Sequence, residues 1–311
     1  TITNNGNIDF SNSSTAGSAS ITNSCGLITS DNTSTGGSAT ITNTGTIIFN
    51  DASTGGSATI ANNGHIRFFD TSTAGNAALT NTGGSAVVDF SASTGPNNDG
   101  KLGAGSIAGG GNFYLGSDQL TVGGNNSSAT VSGVISDCGG GADCQNAGVT
   151  GGSLVKSGTG TLTLTGADTY TGGTQLNGGT LIVGNNSALG TGTLAMAAGT
   201  TLEFLNTGNF TIANPITITG DPDFAPPSGT TQALSGVIAN GATPGTLVMN
   251  GFGTLVLSGA NTYTGPTNVT AGTLTVNGSI AASNLTTVSS GATLNGTGTV
   301  GNLQVSNGGV F

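Results

Sequence analysis

Few residues in this chain have the type and spacing to do chemistry. His65, the one imidazole, stands between Gly64 and Ile66. Asp221 and Asp223 form a tight acidic pair in the run Gly220-Asp221-Pro222-Asp223-Phe224-Ala225-Pro226-Pro227-Ser228-Gly229, while the single glutamate, Glu203, has no matched carboxylate. Serine hydrolysis needs a nucleophile, a base and an orienting acid, and no Gly-x-Ser-x-Gly elbow occurs. Glycosidic hydrolysis needs paired carboxylates, for which Asp221 and Asp223 are the candidates. His65 reads as an ordinary surface residue, because no second His, Glu or Cys column accompanies it and zinc would need more ligands. No metal or cofactor is expected.

Cys138 and Cys144 bracket Gly-Gly-Gly-Ala-Asp, a spacer that lets two sulfurs meet. Closing such a loop would contribute roughly 2 kcal/mol. A disulfide in an oxidising compartment is the favoured reading, and two free thiols in a mobile loop the alternative. Cys25 is left over, beside the extra residue of the second coil described next.

The elements that position these residues repeat. ITNNGNIDF begins at Ile2, ITNSCGLIT at Ile21, ITNTGTIIF at Ile41, IANNGHIRF at Ile60 and LTNTGGSAVVDF at Leu79, in steps of 19, 20, 19 and 19 residues. A period near 20 marks a solenoid whose coils bury their apolar faces only by stacking. Alternation over short runs, punctuated by Gly, predicts β-strands and no amphipathic helix. The fold class is therefore all-β, a parallel β-helix of roughly 20-residue coils, preferred as right-handed because the hexapeptide pattern of left-handed helices is missing.

Stacking predicts columns of like residues about 4.8 Å apart. Ile2, Ile21, Ile41, Ile60 and Leu79 form an inward aliphatic column; Phe10, Phe49 and Phe68 form an aromatic one, broken at Thr29. Asn4, Asn23, Asn43, Asn62 and Asn81 form a structural amide ladder. Asn12, Asp31, Asp51 and Asp70 form a second column. Adjacent carboxylates there repel by roughly 0.9 kcal/mol in water, so this edge is expected to be solvated and open to partners. Calcium bridging is the sharper alternative, against which stands the absence of the glycine-rich calcium nonapeptide. Three prolines predict that the segment around Asp221, Asp223 and Phe224 projects from the coil, with Phe224 as an exposed anchor.

Composition narrows the partners. Thirteen acidic residues face three cations, Arg67, Lys101 and Lys156, for a net charge of −10, so nucleic acid and anionic membranes are poor partners and no nucleic acid is expected. No apolar run approaches the ~20 residues of a membrane span, and no signal peptide is evident. The chain starts inside a repeat and reads as a fragment of something longer.

After Gly95 the register loosens, and a larger repeat takes over. The string from Gly160 to Gly172, GTLTLTGADTYTG, matches GTLVLSGANTYTG from Gly253 to Gly265, and Ser132-Gly133-Val134-Ile135 matches Ser235-Gly236-Val237-Ile238. The longer string GTGTLTLTGADTYTGGTQLNGGTLIVGN, from Gly158 to Asn185, resembles the passenger-associated transport repeat of bacterial autotransporters of the monomeric type V secretion class. The second copy departs from it at Phe252 and Pro266. Residues 1–95 are expected to be Asn-ladder coils, 96–157 irregular coils with a Cys138–Cys144 hairpin, and 158–311 coils with two transport repeats, all in one solenoid.

The resemblance implies a Gram-negative passenger, exported through the outer membrane to the cell surface or secreted, whose own C-terminal β-barrel translocator is absent from this chain. It implies that the units around Tyr170 and Tyr263 are folding segments. The function expected is an adhesin or adhesin stalk that is not an enzyme. Its partners would be itself, in side-by-side rods, or a host or cell-surface glycan or protein. A polysaccharide- or ester-hydrolysing passenger and an inert spacer are the alternatives.

Overall fold

A computed structural model describes residues 1–138 and 143–311. Every regular element among them is a β-strand, and every strand pair is parallel with its partner one coil away, so the chain is a β-solenoid. It divides into two compact units, Thr1–Gly173 and Thr174–Phe311.

In the first unit the coils stack as sheets. One sheet runs from Ile2–Asn4 through Ser20–Asn23, Thr40–Asn43, Thr59–Asn62 and Ala78–Asn81 to Thr161–Leu164. A second runs from Asn7–Phe10 through Leu27–Ser30, Thr46–Phe49, His65–Asp70, Val87–Ser93 and Asn112–Tyr114 to Ile135–Ser136. In the early coils the third side is reduced to single bridges joining Thr15, Thr35, Thr54 and Thr73. From Lys101–Ala104 onward that side becomes a true sheet, with Gln119–Val122 and Ser153–Lys156. The second unit stacks in the same way, from Thr180–Val183 through Asp223–Ala225 and Leu247–Met249 to Leu303–Val305 on one side.

Alternation decides which side chains turn inward. Ile21, Ile41, Ile60 and Leu79 are buried and pair in register, as the repeats predict. A parallel column of Ile28, Ile47, Ile66, Val88 and Phe113 fills the second face. The turn between these two strands needs glycine: a Cβ on Gly45 would collide with the carbonyl oxygen of Gly26 one coil below.

The aromatic column breaks at Ser30, not at Thr29, because Phe10 pairs with Ser30 and Ser30 with Phe49. The reason is one residue. Asn23 and Leu27 are separated by Ser24, Cys25 and Gly26, where the third coil has only Thr44 and Gly45 between Asn43 and Thr46. Cys25 absorbs the extra position at φ 62°, and everything after it in that coil shifts by one. Beyond the break the stack is longer than the repeats predict: Phe49, Phe68 and Phe90 lie face to face, with centroids 4.9 and 4.8 Å apart.

The proline-rich segment does not project. Asp223–Ala225 is a strand, paired with Thr201–Phe204 before it and Leu247–Met249 after it. Phe224 is fully buried, which corrects the expectation of an exposed anchor. Prolines are tolerated here because they flank the strand: Asp223 N still donates to Thr200 O, while Pro222 and Pro226 contribute carbonyls that accept from Val248 and Gly253.

Candidate functional site

The Asn ladder is the most regular polar feature. Asn4, Asn23, Asn43 and Asn62 each donate Nδ2 to the Oδ1 of the next asparagine at 2.7 Å. Each middle amide also serves its own turn: in Asn62, Nδ2 donates to Gly64 O and Oδ1 accepts from Gly64 N. The side chains of Asn23, Asn43, Asn62 and Asn81 are closed to solvent. At Asn81 the donation passes to the backbone carbonyl of Asn112 at 2.8 Å, where Gly109 takes the next rung. These amides hold coils together and present nothing to a ligand.

The second column is Asn12, Asn32, Asp51 and Asp70. Asp31 falls outside it, displaced by the same extra residue at Cys25; its Oδ1 instead accepts from Asn50 Nδ2 at 2.8 Å. The four column residues share a left-handed backbone, φ 52 to 56°, which Asn and Asp tolerate better than other side-chain-bearing residues. Asn12 N donates to Asn32 Oδ1, Asn32 N to Asp51 Oδ2 and Asp51 N to Asp70 Oδ2, at 2.8 to 3.1 Å. The column is exposed, as the repulsion argument expects.

A second polar cluster, missed in the sequence, lies in the first unit. Asp89 is buried and accepts from Ser91 N at 2.9 Å and Gln145 N at 2.8 Å. Asn146 Nδ2 and N bond Ser91 O and Oγ, so residues 144–146 are strapped over the strand Val87–Ser93. Cys138 and Cys144 are bonded, with Cα atoms 5.8 Å apart; the glycine spacer between them, 139–142, lies outside the described residues. Cys25 is an exposed free thiol. Burial, with Asp143 and Asp89 nearby, raises the Tyr114 phenol.

Beside the strap is an open cleft of about 210 Å³ lined by Ser136, Asp137, Val149, Thr169 and Thr171. Asp137 accepts from Thr171 N and Oγ1 and from Gly151 N. Its carboxylate is spent on the wall. Burial pushes Asp118 up to about 7 and lowers the Lys156 amine.

His65 pairs with Thr46 and Val87, and Asn7 lies further down the same register, as expected. Asp221 is exposed and Asp223 half-buried; burial raises Asp223, a hydrogen bond from Asn250 lowers it and Asp221 raises it. Among the described residues no group of three or more His, Cys, Asp or Glu comes together to hold a metal.

The duplicated strings place their key residues inside. Tyr170 and Tyr263 are buried. The Tyr263 hydroxyl shares a 2.7 Å hydrogen bond with Thr267 Oγ1, which pairs at 3.0 Å with Ser283 Oγ, and Ser283 donates to Gly265 O. Burial raises the Tyr263 phenol well above its ordinary value. Asp168 and Asn261 each bond a backbone N–H of the preceding coil, those of Ile135 and Ile238. This explains why the upstream Ser-Gly-Val-Ile string is duplicated with them.

Stacked parallel coils with these internally bonded turns define a β-solenoid. The passenger-associated-transport-repeat family matches residues 154–183 and 247–276. Both matched segments fall on the duplicated strings, and the match supports an autotransporter passenger. The chain is similar to the Adhesin BmaC autotransporter of Brucella suis biovar 1 (strain 1330), at 46% identity over 69 residues, which are 22% of this chain and 2% of that protein. No solved structure matches the chain.

Proposed function

We propose that the chain is a non-enzymatic stalk or adhesive segment of a passenger exported to the surface of a Gram-negative bacterium. The observation that carries this reading is how its polar residues are used: the Asn ladder, the transport-repeat turns and Asp89 and Asp137 all bond the chain to itself. The similarity to a protein named as an adhesin supports it. Side-by-side contact with a second copy is assigned to the exposed edge of Asn12, Asn32, Asp51 and Asp70, where neighbouring polar groups recur at each coil. Low charge limits repulsion between copies.

Sedimentation of the purified chain over a wide concentration range, at low and high salt, tests self-association. Binding to host cells and to a glycan panel tests adhesion. Hydrolysis of an ester and polysaccharide panel, abolished by Asp221→Asn or His65→Ala, would overturn the non-enzymatic reading. A monomer that binds none of these surfaces would leave a spacer.

A further inference from the structure

The turns that close the two transport repeats differ at one position, and it is buried. The turn reads Gly166-Ala167-Asp168-Thr169-Tyr170 in the first and Gly259-Ala260-Asn261-Thr262-Tyr263 in the second. One oxygen does the same task in both: Ile135 N donates to Asp168 Oδ1 at 2.7 Å, and Ile238 N donates to Asn261 Oδ1 at 2.8 Å. Both side chains are buried, at 2% and 5% exposure. The other polar atom separates them. Asn261 Nδ2 donates to Gly259 O at 3.2 Å, whereas Asp168 Oδ2 is buried with no hydrogen-bond partner. An ionised carboxylate has nothing to donate to the corresponding carbonyl of Gly166, and a buried unpaired charge is strongly unfavourable.

The charged surroundings offer no remedy. Asp137, on the preceding coil, is a carboxylate already engaged by Thr171 and Gly151. Tyr170, on the same turn, is a buried phenol. Burial pushes the Asp168 carboxyl up to about 7, opposed by the hydrogen bond from Ile135 N, and no cation offsets it.

We propose that Asp168 is held as a neutral carboxylic acid in the folded stack, its Oδ2–H taking the place of the Asn261 amide, so that the first repeat closes by taking up one proton from solvent. The second repeat closes without one. Because the folded group holds its proton more tightly than the unfolded one, its stabilisation is complete below about pH 4 and is lost as pH rises through about 7. At higher pH the turn must either keep a buried charge or open locally between Gly166 and Gly172.

The test uses the full chain, Asp168→Asn, and Asp118→Asn as a control, because Asp118 titrates in the same window. Unfolding is followed by denaturant from about pH 4 to pH 8. Asp168→Asn should remove up to about a tenfold change in the unfolding constant per pH unit and be more stable than the parent at pH 8. Asn261→Asp should install a matching dependence in the second repeat. In the Asp118→Asn background, infrared spectroscopy at pH 6 should show a neutral-carboxyl band that disappears with Asp168→Asn. A parental pH slope in Asp168→Asn would overturn the proposal. So would the absence of that band at pH 6 in the parent chain or in an Asp118→Asn chain whose circular dichroism shows it folded.

Discussion

Asn43 Nδ2 donates to Asn62 Oδ1 across 2.7 Å, and both side chains are closed to solvent. The pair is one link in a chain of amides in which each oxygen accepts and each nitrogen donates across a coil boundary. A buried amide is costly when orphaned, so the ladder discriminates strongly among substitutions.

Asn62→Ala strands the amides of Asn43 and Asn81 and the backbone of Gly64, and should destabilise the chain by about 2–4 kcal/mol. Asp51→Asn, on the exposed column, should change stability by no more than about 0.5 kcal/mol. Urea unfolding of the two variants checks the contrast.

Phe68 sits between Phe49 and Phe90 with both faces covered. Phe68→Ala should cost about 3–5 kcal/mol through the lost contacts and the cavity left behind. Phe252, 77% exposed, should tolerate Ala within about 0.5 kcal/mol. Thermal unfolding separates them.

Cys25 should be the one thiol to react with a maleimide in the native, unreduced chain, since Cys138 and Cys144 are bonded. Mass spectrometry before and after reduction counts the labels. Cys25→Gly should stabilise by about 1 kcal/mol, because φ 62° is strained for a side chain and not for glycine.

Replacing Cys138 and Cys144 together with Ala should loosen the strap that places Gln145 N on Asp89 and Asn146 on Ser91. The cost expected is roughly 2 kcal/mol. Limited proteolysis should then cut within 144–151, and an uncut strap would show that Asp89 and Ser91 hold it unaided.

Burial alone raises Asp118 to about 7. Its contribution to stability is therefore complete below about pH 4 and lost as pH rises through about 7. Asp118→Asn should flatten the fall in unfolding midpoint over that window, which differential scanning calorimetry at stepped pH would record.

The repeat period, the parallel coils, the inward aliphatic column and the Asn ladder were all determined by the sequence, because a stacked coil forces identical residues into identical surroundings and repetition reveals that directly. The duplicated transport repeats were legible for the same reason. Tertiary structure decided what depends on counting across an irregularity or on burial. The left-handed Cys25 moved Ser30 into the aromatic column and Asn32 into the exposed one, displacing Thr29 and Asp31. Pro222 and Pro226 looked like strand breakers, yet they flank a strand that buries Phe224. Asp89 and Ser91 meet residues 144–146 only when the chain folds back, across more than fifty residues that share no repeat. The exchange of Asp168 for Asn261 was visible as a letter; its meaning came from depth, because only a side chain sealed from water must account for both of its polar atoms.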